Sequence, residues 1–479
     1  MIIYLKEKNK FLKFIILLFS IFFIFLFIKT LINYQGNKLI YITFSILFNL
    51  LILNFLIRKT TFYEIFFGLL LWMGFWLKFS IFESNTYRLH SIFDGQALCN
   101  FDRKNFDSIL IISSIGCLGF LLSIFLFLYL KNKKIINLNN YKFSIKKKRL
   151  YILFLIFAVC YSILIILNFN FGYYRKGLLP SNNLFYLENI FLPYFYTLGF
   201  GSAICFFIYN LKILNNKNIY FILILICIEG FLTNTSMLSR NMILYSSSIF
   251  LGFMIFINKK DPLELKKFLF LSITFLTITF ALSIFLTNKL RSSQYVALDK
   301  ANLEQKYECK IKENKKLVRG PKILDLFLTR SIGIEGIMTT YSNKDKLSFS
   351  LLKKSLSEKA LSKQSFYEEN FLGDQIKKTY MKSNQVILPG IFGYLYFSGS
   401  TIFLFITIFL LSLIFMLFEK LVLIFTKNIV LSSFLSFVIV WRLINFGYAI
   451  SNTKNFIIAI ILTLVVIYFL QKFIEKNEY

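Results

Sequence analysis

The stretch LPGIFGYLYFSGSTIFLFITIFLLSLIFMLF, Leu388 to Phe418, runs for 31 residues without a charged side chain. About 20 consecutive apolar residues are enough to carry a helix across the hydrocarbon layer of a membrane. A soluble core is not written this way. Nor is a transmembrane barrel, whose strands are segments of about ten residues alternating in polarity, because Phe, Ile and Leu are continuous here. A backbone in lipid must satisfy its own hydrogen bonds, which leaves α-helices. The stretch is too long for one straight span, and Pro389-Gly390 near its start predicts a bent or re-entrant turn at the outer surface before the helix proper.

Working outward, runs of the same kind recur at 14–32, 39–57, 62–80, 108–130, 150–168, 188–209, 219–234, 241–257, 268–287, 429–446 and 455–472. The chain of 479 residues is 57% hydrophobic and 19% aromatic. The fold class expected is therefore an all-α polytopic membrane protein with about 12 transmembrane helices. Lys6, Lys8, Lys10 and Lys13 precede the first run, but no small-x-small cleavage pattern follows Phe14 to Ile28, so an uncleaved first span is expected. Lys131 to Arg149 holds eight basic and no acidic residues, and Lys259, Lys260, Lys266 and Lys267 fill another short connection. Short basic loops stay in the cytoplasm, which places both termini there and the loops 83–107, 169–187, 235–240, 288–387 and 447–454 outside. Three regions follow: spans 1 to 9 over 1–287, a large outer loop over 288–387, and spans 10 to 12 over 388–479. Within the loop, Ile323-Leu324-Phe327-Leu328-Ile334-Ile337 and Leu347-Leu351-Leu352-Leu356-Leu361 recur at helical spacing and predict two amphipathic helices lying against the outer membrane surface.

Phe (61) is abundant and Pro (5) scarce, a bias that inflates lysine as well and makes it a weak signal. The net charge of +31 has two readings, a lysine-biased membrane protein meeting anionic lipid or a protein with an anionic substrate. No Walker loop, Cys/His metal spacing or G-x-S-x-G occurs, which weighs against ATP-driven transport and metallohydrolase chemistry. No metal, cofactor or nucleic-acid partner is expected. Cys99 and Cys309 are the two cysteines in outer loops; they are either separate thiols or a disulfide made in an oxidising periplasm.

Arginine is the better probe. Of ten, Arg58 and Arg149 fall on the cytoplasmic side, whereas Arg88, Arg103, Arg175, Arg240, Arg291, Arg319, Arg330 and Arg442 lie outside or in the outer part of a span. Guanidinium groups make planar, bidentate contacts with phosphates, so this gathering points to a phosphate-bearing substrate, against the plainer alternative of solvated or headgroup-facing charge. Arg240 sits in a very short outer turn between two spans. Arg442 lies within an apolar run, where a charge faces a cavity or snorkels to headgroups; Glu229 is a candidate partner. Arg330 opens Arg330-Ser331-Ile332-Gly333-Ile334-Glu335-Gly336, in which Gly333 and Gly336 leave one helix flank bare, either for a phosphate or sugar or for close helix packing.

These residues resemble the Wzy-type O-antigen polymerases, membrane enzymes that join lipid-linked oligosaccharide repeat units at the periplasmic face. The matching pieces are Ser239-Arg240-Asn241, Thr329 through Gly336, and Leu388-Pro389-Gly390 through Tyr394 to Gly399. The plan of about twelve spans with a dominant late outer loop matches too, so the resemblance covers most of the chain. It implies a GT-C-like, metal-independent glycosyltransferase of the bacterial inner membrane. Its partners would be a polyprenyl-diphosphate-linked oligosaccharide, the bilayer and a chain-length regulator. Arg240 and Arg330 would stabilise the leaving diphosphate, with Arg291, Arg442 and Arg175 as further substrate contacts beside Gly333 and Gly336. Glu335, five residues from Arg330, is the favoured general base; Glu368, Glu369, Asp374 and His90 are the other candidates. Two rivals remain open, an O-antigen ligase-like transferase and a flippase or other transporter. Against the latter stand unlike halves and a dominant outer loop.

Overall fold

The computed structural model describes residues 10–57, 60–85, 105–132, 145–175, 191–214, 219–239, 242–260, 262–295, 332–358, 365–371, 388–447 and 450–475. Among them there is no strand, only one isolated antiparallel bridge between Ile145 and Glu475. Nine long helices open the chain: α1 Lys10–Asn33, α2 Lys38–Ile57, α3 Phe62–Ser84, α4 Phe106–Asn132, α5 Lys147–Phe171, α6 Leu192–Leu214, α7 Ile219–Ser236, α8 Met242–Lys260 and α9 Pro262–Tyr295. Four short ones follow, α10 Ile334–Ser342, α11 Phe349–Leu356, α12 Phe366–Phe371 and α13 Gly390–Leu395. The chain closes with α14 Thr401–Thr426, α15 Ile429–Ile444 and α16 Ile450–Ile474. Among the described residues nine helices are long and apolar enough to cross a membrane, and α1, α8 and α15 hold shorter apolar stretches. The protein is an all-α polytopic membrane protein.

The helices gather into two compact units that interleave along the chain. One comprises Met1–Ile135, Lys300–Met416 and Val440–Thr453, the other Ile136–Asp299, Leu417–Ile439 and Lys454–Tyr479.

In the first unit α3 and α4 form the centre, with 72% and 67% of their apolar windows buried. A capping box starts α3: Glu64 N–H donates to Thr61 Oγ1 at 3.2 Å and Thr61 N–H to the Glu64 carboxylate at 3.3 Å, which satisfies two of the orphan donors every helix start leaves. Hydrogen bonds then tie α3 to its neighbours: Trp72 Nε1–H donates to Asn49 Oδ1 at 3.0 Å, and Thr30 Oγ1 to the Ser80 carbonyl at 3.0 Å. Such bonds and small residues, rather than the hydrophobic effect, hold helices together in lipid. On α4, a Cβ at Gly119 would lie 2.6 Å from the Phe405 carbonyl oxygen, so α14 runs close along it. Residues Met73–Leu77 of α3 form one π-helical turn, and Phe195–Gly199 of α6 form another.

In the second unit α6 and α7 are the buried helices, while α5 and α9 expose most of their length. Asn168 Nδ2 donates to Ser236 Oγ at 2.9 Å, Ser433 Oγ to the Ser248 carbonyl at 2.7 Å and Asn428 Nδ2 to the Cys205 carbonyl at 3.1 Å. Each of these three side chains ties one helix to another.

The run at 388–418 breaks before the helix proper. Gly390 and Gly399 adopt φ of +68° and +71°, so α13 and a 3-10 turn at Tyr396–Ser398 precede a helix that starts at Thr401 and runs on to Thr426. Two expectations change in detail. Helix α9 continues through Tyr295, eight residues past the expected span end at 287. Of the first helix expected in the loop, Ile323 to Leu328 lie outside the described residues; its later part, α10, does not lie on a surface, since Ile334 through Thr340 are all buried and its small flank packs on protein. Helix α11 does keep an amphipathic face, with Leu352 and Ser355 buried and Phe349 and Leu356 exposed. It is held at the start of α14 by the Phe349 and Phe403 rings, whose centroids are 5.3 Å apart.

Candidate functional site

The segment Ile332–Ser342 brings two of the three pieces of the resemblance together. Gly333 is extended (φ −171°) and caps the start of α10. A Cβ there would overlap the Gly74 carbonyl oxygen in the π turn of α3, and one at Gly74 would lie 2.6 Å from the Ile332 carbonyl oxygen. One turn on, a Cβ at Gly336 would overlap the Pro389 carbonyl, and one at Gly393 would sit 2.9 Å from the Gly336 carbonyl. Gly390 N–H donates to the Phe446 carbonyl at 3.1 Å, and a Cβ at Gly447 would lie 2.5 Å from Pro389 Cδ. Four chain segments thus meet at close range, around Gly74, Gly333–Gly336, Pro389–Gly393 and Phe446–Gly447. The bare flank of Gly333 and Gly336, read as open to a phosphate or sugar, is filled by protein. The close-packing alternative is the one realised.

Glu335 enters an ion pair with Lys78, one turn beyond Gly74 on α3. The lysine and carboxylate side chains are 1% and 5% exposed, so neither charge is shared with solvent. A general base must reach the proton of an acceptor brought in from outside, and a carboxylate enclosed with an ammonium does not. Glu368 is also engaged, in a capping box at α12: Ser365 N–H donates to its Oε2 at 2.9 Å and its own N–H to Ser365 Oγ at 3.2 Å. Glu369 is exposed. Asp374, His90, Cys99, Cys309, Arg88, Arg103, Arg319 and the two principal arginines, Arg240 and Arg330, lie outside the described residues.

The approach to Arg240 is nonetheless defined. Helix α7 ends in a Schellman motif: Ser239 N–H donates to the Asn234 carbonyl at 3.0 Å and Leu238 N–H to the Thr235 carbonyl at 3.1 Å. Leu238 occupies the left-handed position at φ +50°, where glycine is the usual residue and a branched side chain costs of the order of 1 kcal/mol. Met237, Leu238 and Ser239 are buried, so the turn that carries Arg240 leaves from a fixed point.

The other arginines are placed singly. Arg175 Nη2 donates to the Phe169 carbonyl at 2.9 Å, and its guanidinium lies over Gly172, the left-handed cap of α5. It caps a helix end, where a cation is favoured by the dipole. Arg442, in the last turn of α15, donates from Nη2 to Thr453 Oγ1 at 3.2 Å. Glu229 accepts from Thr233 Oγ1 at 3.1 Å within the second unit, close to Tyr196, Thr197, Tyr245 and Phe434. Arg291 falls on the last turn but one of α9.

Two residues escaped the sequence reading. Lys78 resembles the basic residue that ends a span at the headgroups, and only its place within an apolar run with six further helical residues beyond it hinted otherwise. Asp107 supplies a carboxylate to the turn between α1 and α2, whose own residues, 33–38, have none. Its oxygens accept from Asn37 N–H at 3.0 Å and from Tyr34 Oη at 2.6 Å. Burial, with Asp107 beside it, pushes the Tyr34 phenol far above its ordinary range, so it stays a donor and the turn stays pinned. Comparison with protein-family profiles, with curated proteins and with solved structures returns no match to this chain.

Proposed function

We propose that this protein is a membrane glycosyltransferase that polymerises polyprenyl-diphosphate-linked oligosaccharide repeat units at the periplasmic face of a bacterial inner membrane, using about twelve spans of GT-C-like arrangement. The observation that supports this reading best is the seating of Ile332–Gly336 on Pro389–Gly393. Two sequence pieces that carry the resemblance, more than 50 residues apart in the chain, share one rigid junction. In the reaction the acceptor sugar hydroxyl attacks the donor's anomeric carbon, the bond to the diphosphate breaks, and the lipid diphosphate departs with the electron pair. Arg240 and Arg330 meet the charge that grows on it, a preorganised role worth about 3 kcal/mol per donor. With Glu335 held by Lys78, the acceptor proton falls to another group, and the exposed Glu369 is our candidate among the described carboxylates.

The reading is checked by glycan banding on gels from a strain lacking the gene. A single repeat left on the lipid core is the expected pattern. No repeat at all would point to a ligase or a flippase and end the polymerase reading. Topology is checked separately: alkaline phosphatase fused near Lys344 is expected to be active and a fusion near Lys142 silent. The reverse pattern would place the arginines on the wrong side for an exported lipid-linked donor.

A further inference from the structure

We propose that Lys78 and Glu335 are a positioning pair: their enclosed salt bridge sets the register in which the outer-loop helix α10 docks on α3, and Glu335 does no chemistry of its own. The junction around α10 is built from glycine and backbone, Gly333 on Gly74 and Gly336 on Pro389 and Gly393. Surfaces of this kind bring two segments very close, yet they offer few interlocking side chains. Closeness is fixed by them and sliding is not. What opposes sliding is a pair of charges two residues beyond Gly333 on one side and one turn beyond Gly74 on the other. Taking both ions out of water is costly, and apolar side chains of similar volume hold a contact at least as firmly. An ion pair in this place therefore contributes selectivity: if α10 shifts by a residue, both charges lose their partner in an apolar interior, so neighbouring registers are excluded. Within the polymerase reading, on which the activity arm of this inference rests, the segment so fixed is the continuation of the Thr329 to Gly336 piece.

The alternative for Glu335 is the general base, and a charge exchange separates the two roles. Lys78→Glu and Glu335→Lys each enclose two like charges, whereas Lys78→Glu with Glu335→Lys restores an opposed pair at the same two positions. For a positioning pair, each single variant melts several degrees lower in detergent and makes shorter polymer at matched membrane levels, and the exchange recovers both properties. An exchange that melts like wild type but makes no more polymer than Glu335→Lys overturns the inference in favour of chemistry at Glu335. Equal melting of all four proteins overturns it as well, since the pair then holds nothing. Should the single exchanges fail to insert, Lys78→Met and Glu335→Met, each of which breaks the pair, take their place as the baseline, and no recovery by the exchange over either of them overturns the inference. The melting arm is independent of the chemistry, so cells whose glycan ignores the gene would end the polymerase reading and leave the pair still testable.

Discussion

Gly336→Ala is expected to melt well below wild type, with a loss near 3 kcal/mol and little folded protein recovered from the membrane. The added methyl would meet the Pro389 carbonyl, and Gly393 packs on the Gly336 carbonyl so closely that a Cβ there would lie 2.9 Å from it, so α10 has little room to retreat. Overpacking of a tight core typically costs about 1–3 kcal/mol, and more where backbone must move. The sign is informative because alanine in a helix interior is otherwise favoured over glycine by about 1 kcal/mol. Gly333→Ala should behave similarly against Gly74. Gly199→Ala is the control, since its nearest obstacle is the Phe195 side chain at 3.2 Å. A Gly336→Ala protein that melts with the control would mean that the junction is loose, and with it the platform assigned to the loop.

The largest effect on activity is expected at Arg240 and Arg330. Lysine at either position keeps the charge but loses the planar fork that grips two phosphate oxygens at once, and loss of one preorganised donor costs about a hundredfold in rate. Membrane levels should stay normal, because both residues belong to outer segments rather than to the described cores. Neutral substitution of Arg103 or Arg319, which sit among other charges in the sequence, should change polymer length far less, since screening leaves such groups little net energy. Full-length polymer at the usual rate from Arg330→Ala, beside a deficient Arg319→Ala, would remove the assignment of the leaving-group site.

The helices were legible because lipid imposes one rule, a long apolar helix: among the described residues nine of the runs fall on helices long and apolar enough to cross a membrane, and those at 14–32, 241–257 and 429–446 fall on helices with shorter apolar stretches. The loop helix was legible in part. Ile334 and Ile337 were read as the apolar side of a helix lying on the membrane surface, and Gly333 and Gly336 as a bare flank for either a ligand or a packed helix; in the structure all four are enclosed by protein. Small residues leave no hydrophobic signature, so periodicity cannot distinguish a wet flank from a close contact. The break in the tenth run was sought at Pro389-Gly390, yet a second one lies at Gly399, where a glycine between two serines gives no louder signal than any other. Lys78 was missed for a different reason: a lone charge acquires meaning only from its partner, and that partner is more than 250 positions away in the chain.

The wide turn at Met73–Leu77 bears on how this architecture tolerates changes of length. A π turn within an α-helix is the form one surplus residue takes when the helix on either side keeps its facing. Trp72 still reaches Asn49 on one side of the turn, and Lys78 still reaches Glu335 on the other. A chain one residue shorter here would keep both partnerships on an even helix, but without the widened coil that presents Gly74 to Gly333. An insertion elsewhere in α3 has no such slack and would swing every later side chain by about 100°. The seat of α10 on α3 is thus the work of a single additional residue, lodged in the turn that carries Gly74.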